Sequence, residues 1–268
     1  MHKISTFIRY FVDFLQFGQV RLVIASFIYI LTKKSFIKTR IIHSKLGLFL
    51  HRKGSLDFQF ANYAYEWNVK KIMNKYYKEY QVFIDIGSNI GTYTIMLAKR
   101  GLRTYAFEPA YENFRALKVN VLLNNLEETT TIYNVGLSDT NTKASFVFDP
   151  LNTGASHLDG IPAEDIEAEL RGISTEIELV RFDDIFNEMN IKNNEKILMK
   201  IDVEGMESSV LLGAEIFFKQ HPNILLVMES VHSGEDKLKN ILNQFGVFEY
   251  IPVDALNMAA KKIGNIKT

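Results

Sequence analysis

Cysteine is absent from all 268 residues. Its absence excludes a disulfide frame, a thiolate metal centre and a cysteine nucleophile, and it suits a reducing cytoplasm. Proline occurs five times and tryptophan once, and neither an internal repeat nor a low-complexity tract is present, so the chain is neither a solenoid nor a spacer. Long uncharged apolar runs are missing too. Phe7 to Leu31 is rich in Phe, Ile, Leu and Val, but Arg9, Asp13 and Arg21 interrupt it. No stretch reaches the roughly 18 residues of a spanning helix, and no signal-peptide core with a small-residue cleavage site is recognisable.

Net charge is zero, but the balance is uneven. Residues 1–80 hold 14 Lys/Arg against 4 Asp/Glu, and the remainder holds 17 against 27, so the front carries +10 and the rest −10. A 47% apolar content with 12% aromatics is ample for one large core. Residues 1–44 read as a basic extension of one or two amphipathic helices, which either pack on the main domain or dock on an anionic membrane through aromatics beside Lys33, Lys34, Lys38, Arg40 and Lys45. No nucleic-acid-binding module accompanies these cations. Residues 45–80 predict a hairpin, with Leu46, Leu48 and Leu50 alternating and His51 to Ser55 as its turn, followed by a helix over 63–78 that covers the sheet.

From residue 81 onward the pattern is α/β. Strands are expected at 82–86, 103–107, 131–136, 197–202, 224–229 and 247–253, and helices at 90–100, 110–124, 206–219 and 235–245. Residues 144–148 and 176–182 suit added antiparallel pieces, 152–160 a polar loop, and 162–171 an acidic helix. The most telling segment is Val82 to Lys99, a buried strand, a turn pivoted on Gly87 and Gly91, and an amphipathic helix. Glycines there permit positive φ and leave no Cβ between backbone and ligand, while helix amides face the crevice. Glu108 closes the second strand, where a carboxylate can accept from the hydroxyls of an adenosine ribose. Asp85, just before the first glycine, opposes the pyrophosphate of a dinucleotide and favours the cations of S-adenosylmethionine (SAM). Asn89 stands where G-x-G-x-x-G would have its second glycine. SAM is therefore favoured over NAD, with an NAD-dependent oxidoreductase and a non-catalytic membrane-associated scaffold kept as rivals.

Five motifs follow in order: Asp85-Ile-Gly-Ser-Asn-Ile-Gly91, Ala106-Phe-Glu-Pro109 with Asn113 and Asn120, Gly136-Leu-Ser-Asp139, Asn152-Thr-Gly-Ala-Ser156, and Lys200-Ile-Asp-Val-Glu-Gly205. Together they resemble the FkbM family of SAM-dependent methyltransferases, strongly over about residues 80 to 230 and more weakly through Asp57 and Tyr65-Glu66. The resemblance implies a Rossmann-like, class I methyltransferase fold with a mostly parallel sheet and helices on both faces. It also implies methyl transfer, usually to oxygen, with sugars and polyketide hydroxyls among the family's acceptors. It carries cofactor binding to Asp85, Gly87, Asn89, Gly91, Glu108, Pro109, Ser138, Asp139 and Asp202, with Asp139 near the adenine and Asp202 beside the sulfonium.

An alcohol acceptor needs a base. Asp202 and Glu204 are the first candidates, with Lys200 on the strand face of Asp202, because three charged residues ending the apolar run Ile197-Leu-Met199 are poor strand filler. A purely structural Lys200–Asp202 pair is the competing reading. His157, where the family often has serine, and His232 are further candidates, each alternatively a solvated loop histidine. Asp202, Glu204 and Glu229 offer oxygen ligands to a divalent ion, though a metal is not favoured. Ser138, Ser156 and Ser230 lack the G-x-S-x-G elbow of a hydrolase. The expectation is a cytoplasmic O-methyltransferase, membrane-associated where the basic extension docks on lipid, acting on a sugar of a surface glycan or glycolipid precursor.

Overall fold

The computed structural model describes residues 2–160 and 171–266, with side chains from residue 8 onward. The acidic helix expected at 162–171 lies outside them except for Arg171. Two helices, α1 (His2–Gln16) and α2 (Val20–Thr32), lead into a hairpin of β1 (Arg40–His43) and β2 (Leu48–His51). A one-turn α3 (Asp57–Phe60) and α4 (Trp67–Tyr76) follow. The central alternation then begins: β3 (Val82–Ile86), α5 (Thr92–Ala98), β4 (Arg103–Phe107), α6 (Tyr111–Leu123) and β5 (Thr130–Tyr133).

Next come β6 (Gly136–Ser138), β7 (Thr142–Phe148), β8 (His157–Leu158), β9 (Ile173–Arg181) and the short α7 (Phe182–Ile185). The chain returns through β10 (Ile197–Ile201), α8 (Glu207–Leu212), α9 (Glu215–Gln220), β11 (Ile224–Glu229), α10 (Glu235–Leu242), β12 (Val247–Pro252) and β13 (Asn257–Gly264). Seven strands form the main sheet in the order β12-β13-β11-β10-β3-β4-β5. Its five strands from β11 to β5 run parallel, and β13 and β12 close the edge antiparallel. The chain enters at β3, steps outward to β5, and returns to β10 on the opposite side of β3. The order therefore reverses between β3 and β10, the place where open α/β sheets bind ligands. This is a Rossmann-like α/β fold.

Side chains alternate across these strands. Val82, Ile84, Ile86, Ile197, Met199 and Ile201 fill one core with Phe182, Phe217 and Phe218. Phe83 and Leu198 face the other, which also receives Phe14 of α1, Leu22 of α2, Phe49, Phe58 and Leu117. The N-terminal segments thus share the core of the sheet. Asp85 and Lys200 lie on that same face, paired in register across β3 and β10.

Several boundaries differ from the sequence expectation. The hairpin turns at Ser44–Gly47, where Ser44 N and Gly47 O pair at 3.0 Å, and not at His51–Ser55. Strands β1 and β13 were not anticipated. β5 ends at Tyr133, and Gly136–Ser138 joins a separate four-stranded sheet ordered β6-β9-β7-β8. The helix expected over 206–219 is two helices. A Cβ on Gly213 would meet the Ser138 carbonyl oxygen at 1.9 Å, so the chain bends there, and Asp183 caps the second helix by accepting from Ile216 N and Phe217 N, both at 2.9 Å.

Asparagines of α6 hold the hairpin on. Asn120 accepts from Leu50 N at 2.6 Å and donates to Ile90 O at 2.7 Å, while Asn124 accepts from Leu48 N and donates to Leu48 O. Asn120→Ala strands two backbone groups and should lower stability by about 2 kcal/mol in urea denaturation; a loss below about 0.5 kcal/mol would show that the hairpin docks by apolar contact alone.

Candidate active site

The first βα turn is bent by its backbone. Gly87, Asn89 and Gly91 have φ of 77°, 49° and 87°, and Gly87 N and Ser88 N both donate to Phe107 O at 3.0 Å. A Cβ on Gly87 would lie 1.7 Å from Asp202 O, so the closeness of the β3 and β10 exits demands glycine. Gly91 serves packing: a Cβ there would meet Leu117 at 2.4 Å. It begins α5 and does not line the cleft.

That cleft opens at the carboxyl ends of β3, β4 and β10. Gly87, Asn89, Glu108 and Pro109 line it, with Asp85, Lys200, Asp202 and Glu204. Glu108 organises one wall. Its carboxylate accepts from Asn89 N at 2.8 Å and Ala110 N at 2.9 Å, with Asn113 Nδ2 at 3.5 Å. Asn113 in turn accepts from Arg52, which is paired with Asp57 at 2.7 Å. Thr153 donates to Asn89 Oδ1 at 3.1 Å and so brings the 152–156 loop over the turn. Burial pushes the Glu108 carboxyl up to about 7, against the hydrogen bonds from Ala110, Asn89 and Asn113.

A second wall is acidic and aromatic. Asp85 Oδ2 accepts from Thr94 N at 3.0 Å and Thr94 Oγ1 at 2.6 Å, which anchors α5; burial raises this carboxyl to about 6, against Lys200 and the Thr94 bonds. Lys200 pairs with Asp202 at 2.5 Å and lies 4.8 Å from the Tyr93 ring centre. Burial works against its ammonium, yet Asp202, Glu66 and Asp85 together hold its pKa above the usual lysine range. Tyr93 donates to Glu66 Oε2 at 2.8 Å. Beneath them the buried Lys70 donates to the Tyr65 carbonyl, with its pKa drawn down to about 7 by burial against the pull of Glu66.

The Asp202–Gly205 turn carries its own support. Glu204 and Gly205 have φ of 50° and 98°. Fully buried Glu207 accepts from Val203 N at 3.3 Å and Gly205 N at 3.2 Å, and Ser233 donates both to it and to Gly205 O. Glu204, Glu229 and His232 present ligand atoms within 4.8 Å of one another, with His232 Nε2 3.9 Å from Glu204 and 3.8 Å from Glu229. Such a set suits a hard divalent ion, but its third member is His232 and not the expected Asp202.

Three expected residues fall elsewhere. Ser138 is buried and donates to Asp139 at 3.1 Å, and Asp139 is an exposed residue past the end of β6; neither lines the cleft, because the third core strand ends at Tyr133. Val135, Gly136 and Leu137 line it instead. His157 is buried in β8 with Nδ1 2.9 Å from Ala155 O, while its neighbours Ser156 and Leu158 face the cleft. Phe60, Tyr65, Glu66 and Tyr93 were missed as lining residues, and only Tyr65-Glu66 left a sequence trace.

The family model described as "Methyltransferase FkbM domain" matches residues 85–251. The chain belongs to the FkbM methyltransferase family. It is a SAM-dependent methyltransferase, and the dinucleotide and scaffold readings fall away. A curated relative, the AMB antimetabolite synthetase AmbE of Pseudomonas aeruginosa, is 26% identical over 215 residues, 65% of this chain. The chain spans about a tenth of that protein's length. Among solved structures, a methyltransferase FkbM from Methylobacillus flagellatus is 18% identical with a TM-score of 0.47, covering 68% of this chain and 44% of that one. Magnesium protoporphyrin IX methyltransferase from Synechocystis, with bound SAM, is 9% identical with a TM-score of 0.43, covering 74% and 79%.

The residues present fit SAM. An apolar slot of Val135, Leu137, Phe146, Ile177 and Leu179 suits adenine, and Glu108, with two backbone donors spread over its two oxygens, retains acceptor capacity for ribose hydroxyls. Asp85 and Asp202 suit the donor's cationic groups. The folded protein binds the Glu108 proton more tightly than the unfolded chain does, so this group stabilises at low pH and the contribution is lost as pH rises from 4.5 to about 7. Asp85 acts with the same sign between 3.8 and about 6. Glu108→Gln should therefore flatten the fall in stability between about 6 and 7, read by denaturant melts of the ligand-free protein; an unchanged slope would place the titration elsewhere.

Proposed function

We propose that this methyltransferase methylates a sugar hydroxyl of a surface glycan or glycolipid precursor, in the cytoplasm. SAM supplies an activated methyl group whose positive charge is lost on transfer, so the protein's work is alignment of the acceptor and removal of its proton. The observation that carries this reading is the composition of the cleft beside the β10 exit, where Glu66, Asp202 and Glu204 converge with the rings of Phe60, Tyr65 and Tyr93. Carboxylates accept from several hydroxyls at once, and aromatic faces suit the apolar side of a pyranose. An amine acceptor would need neither the base nor so many acceptors.

Glu204 is the base that best fits. Asp202 is ion-paired with Lys200 at the β10 exit, so its role is to hold the donor's positive end. Glu204 lines the cleft with His232 beside it, a pair through which a proton can leave toward solvent. Glu66, held by Tyr93, orients the acceptor. His157 does not line the cleft, and its Nδ1 lies against the Ala155 carbonyl, so no step is assigned to it.

Radiolabelled SAM with polyprenol-linked and free glycans tests the acceptor. Label should enter carbohydrate as an alkali-stable ether; alkali-labile ester, or label in polypeptide or nucleic acid, would overturn the sugar reading. Glu204→Gln should lower kcat by roughly 10²–10⁴ with little change in SAM affinity, whereas Asp202→Asn should weaken SAM binding in calorimetry. The reverse pattern would exchange the two roles.

A further inference from the structure

Each N-terminal helix buries one face and exposes an apolar one. In α1 the exposed residues are Ile8, Val12 and Leu15; in α2 they are Val20, Ile24, Phe27 and Leu31, spaced three and four apart and so in one stripe on each helix. The opposite faces, Asp13 with Phe14 and Leu22 with Ser26, are buried. Phe11 stacks on Phe27 with ring centres 5.1 Å apart and planes within 10°, which joins the two stripes into one surface. Single exposed apolar residues are ordinary, but a continuous two-helix stripe marks an interaction site.

The chain segment that carries it has charge of one sign. No Asp or Glu occurs between Asp13 and Asp57, whereas eight Lys/Arg do: Arg21, Lys33, Lys34, Lys38, Arg40, Lys45, Arg52 and Lys53. Just past the end of the stripe, Leu31, Lys33, Lys34 and Phe36 line a single open surface trough together with Arg171, which pairs with Asp149 at 2.8 Å, so apolar tips and the two lysines meet in space and not merely in sequence. Leu31 is 82% exposed and Phe36 69%. No described helix is long and apolar enough to cross a membrane.

From this we infer that the α1–α2 face is a peripheral docking surface for an anionic lipid bilayer, lying in the interface with Leu31 and Phe36 inserted and Lys33 and Lys34 at the headgroups. An anionic bilayer supplies both an apolar layer and counter-charge within a few ångströms of each other. A second copy of the chain does not, since a two-fold contact would face this basic segment with itself. The surface lies outside the cleft, and the inference stands whether or not the acceptor is a sugar.

Flotation of the full-length protein with vesicles of phosphatidylcholine alone and of equimolar phosphatidylcholine and phosphatidylglycerol tests it. Binding is expected to the anionic vesicles and to weaken by at least about tenfold on phosphatidylcholine or in high salt. The double variants Lys33→Glu/Lys34→Glu and Leu31→Ser/Phe36→Ser should each weaken anionic binding by about tenfold or more. All four side chains are exposed or at a surface trough, and unchanged SAM affinity by calorimetry confirms that each variant is folded. Failure to float with anionic vesicles, equal binding to both vesicle types, or full retention of binding by both variants would overturn the inference. So would a concentration-dependent dimer in sedimentation that Leu31→Ser/Phe36→Ser abolishes, since it would assign the face to self-association.

Discussion

The cleft is assembled around one buried carboxylate. Glu108 fastens the glycine turn through Asn89 N and the start of α6 through Ala110 N and Asn113, and these partners reach Thr153, Arg52 and Asp57 in turn. The glycine turn and the start of α6 therefore meet at a single residue that sequence alone singled out for a ligand contact, and the 152–156 loop and the Arg52–Asp57 pair join through them. The two functions are compatible because an ionised carboxylate accepts more hydrogen bonds than two amides supply. They also constrain each other, since every protein donor that fixes the geometry consumes acceptor capacity.

A comparable economy governs the charged floor. Asp85 and Lys200 face the same side of adjacent strands at the point where strand order reverses, and Asp202 and Glu66 extend that pairing into the cleft. Two buried lysines, Lys70 and Lys200, answer the acids there but respond in opposite directions: Lys200, among carboxylates, stays charged, while Lys70, among aromatic rings and a carbonyl, is easily neutralised. The site thus tolerates a dense negative lining for a cationic donor without the full cost of unpaired buried charge.

What could be read from sequence followed from short-range physics. The β3–turn–α5 unit, Glu108 and the β10 exit declare themselves through period-two burial, glycine at positive φ and acids placed after apolar runs, and the structure gathers them at one edge. The misplacements involve long-range events. Nothing local in Gly136-Leu-Ser-Asp139 shows that it leaves the main sheet for β9, and nothing local at Gly213 shows that the Ser138 carbonyl lies where its Cβ would be. His157 looked available because a two-residue strand leaves no periodic trace. Phe60 and Tyr93 carry no sequence signal, since an aromatic lining a ligand space is compositionally identical to one filling a core. Nor does the sequence mark Glu207, whose support of the preceding turn comes from its bonds with Val203 N and Gly205 N.

Asp13 connects these themes. Its carboxylate accepts from Lys45 N at 3.0 Å and Tyr63 N at 2.7 Å, and Asn62 donates to Tyr10 O at 2.9 Å, so α1 grips the backbone just ahead of Tyr65 and Glu66. Amputating the first helix would accordingly leave no neat remnant: it would strip the acceptor from two amides, bare Phe58, and slacken the rim of the cleft. The amino-terminal arm is therefore part of the frame that holds Tyr65 and Glu66 at the cleft.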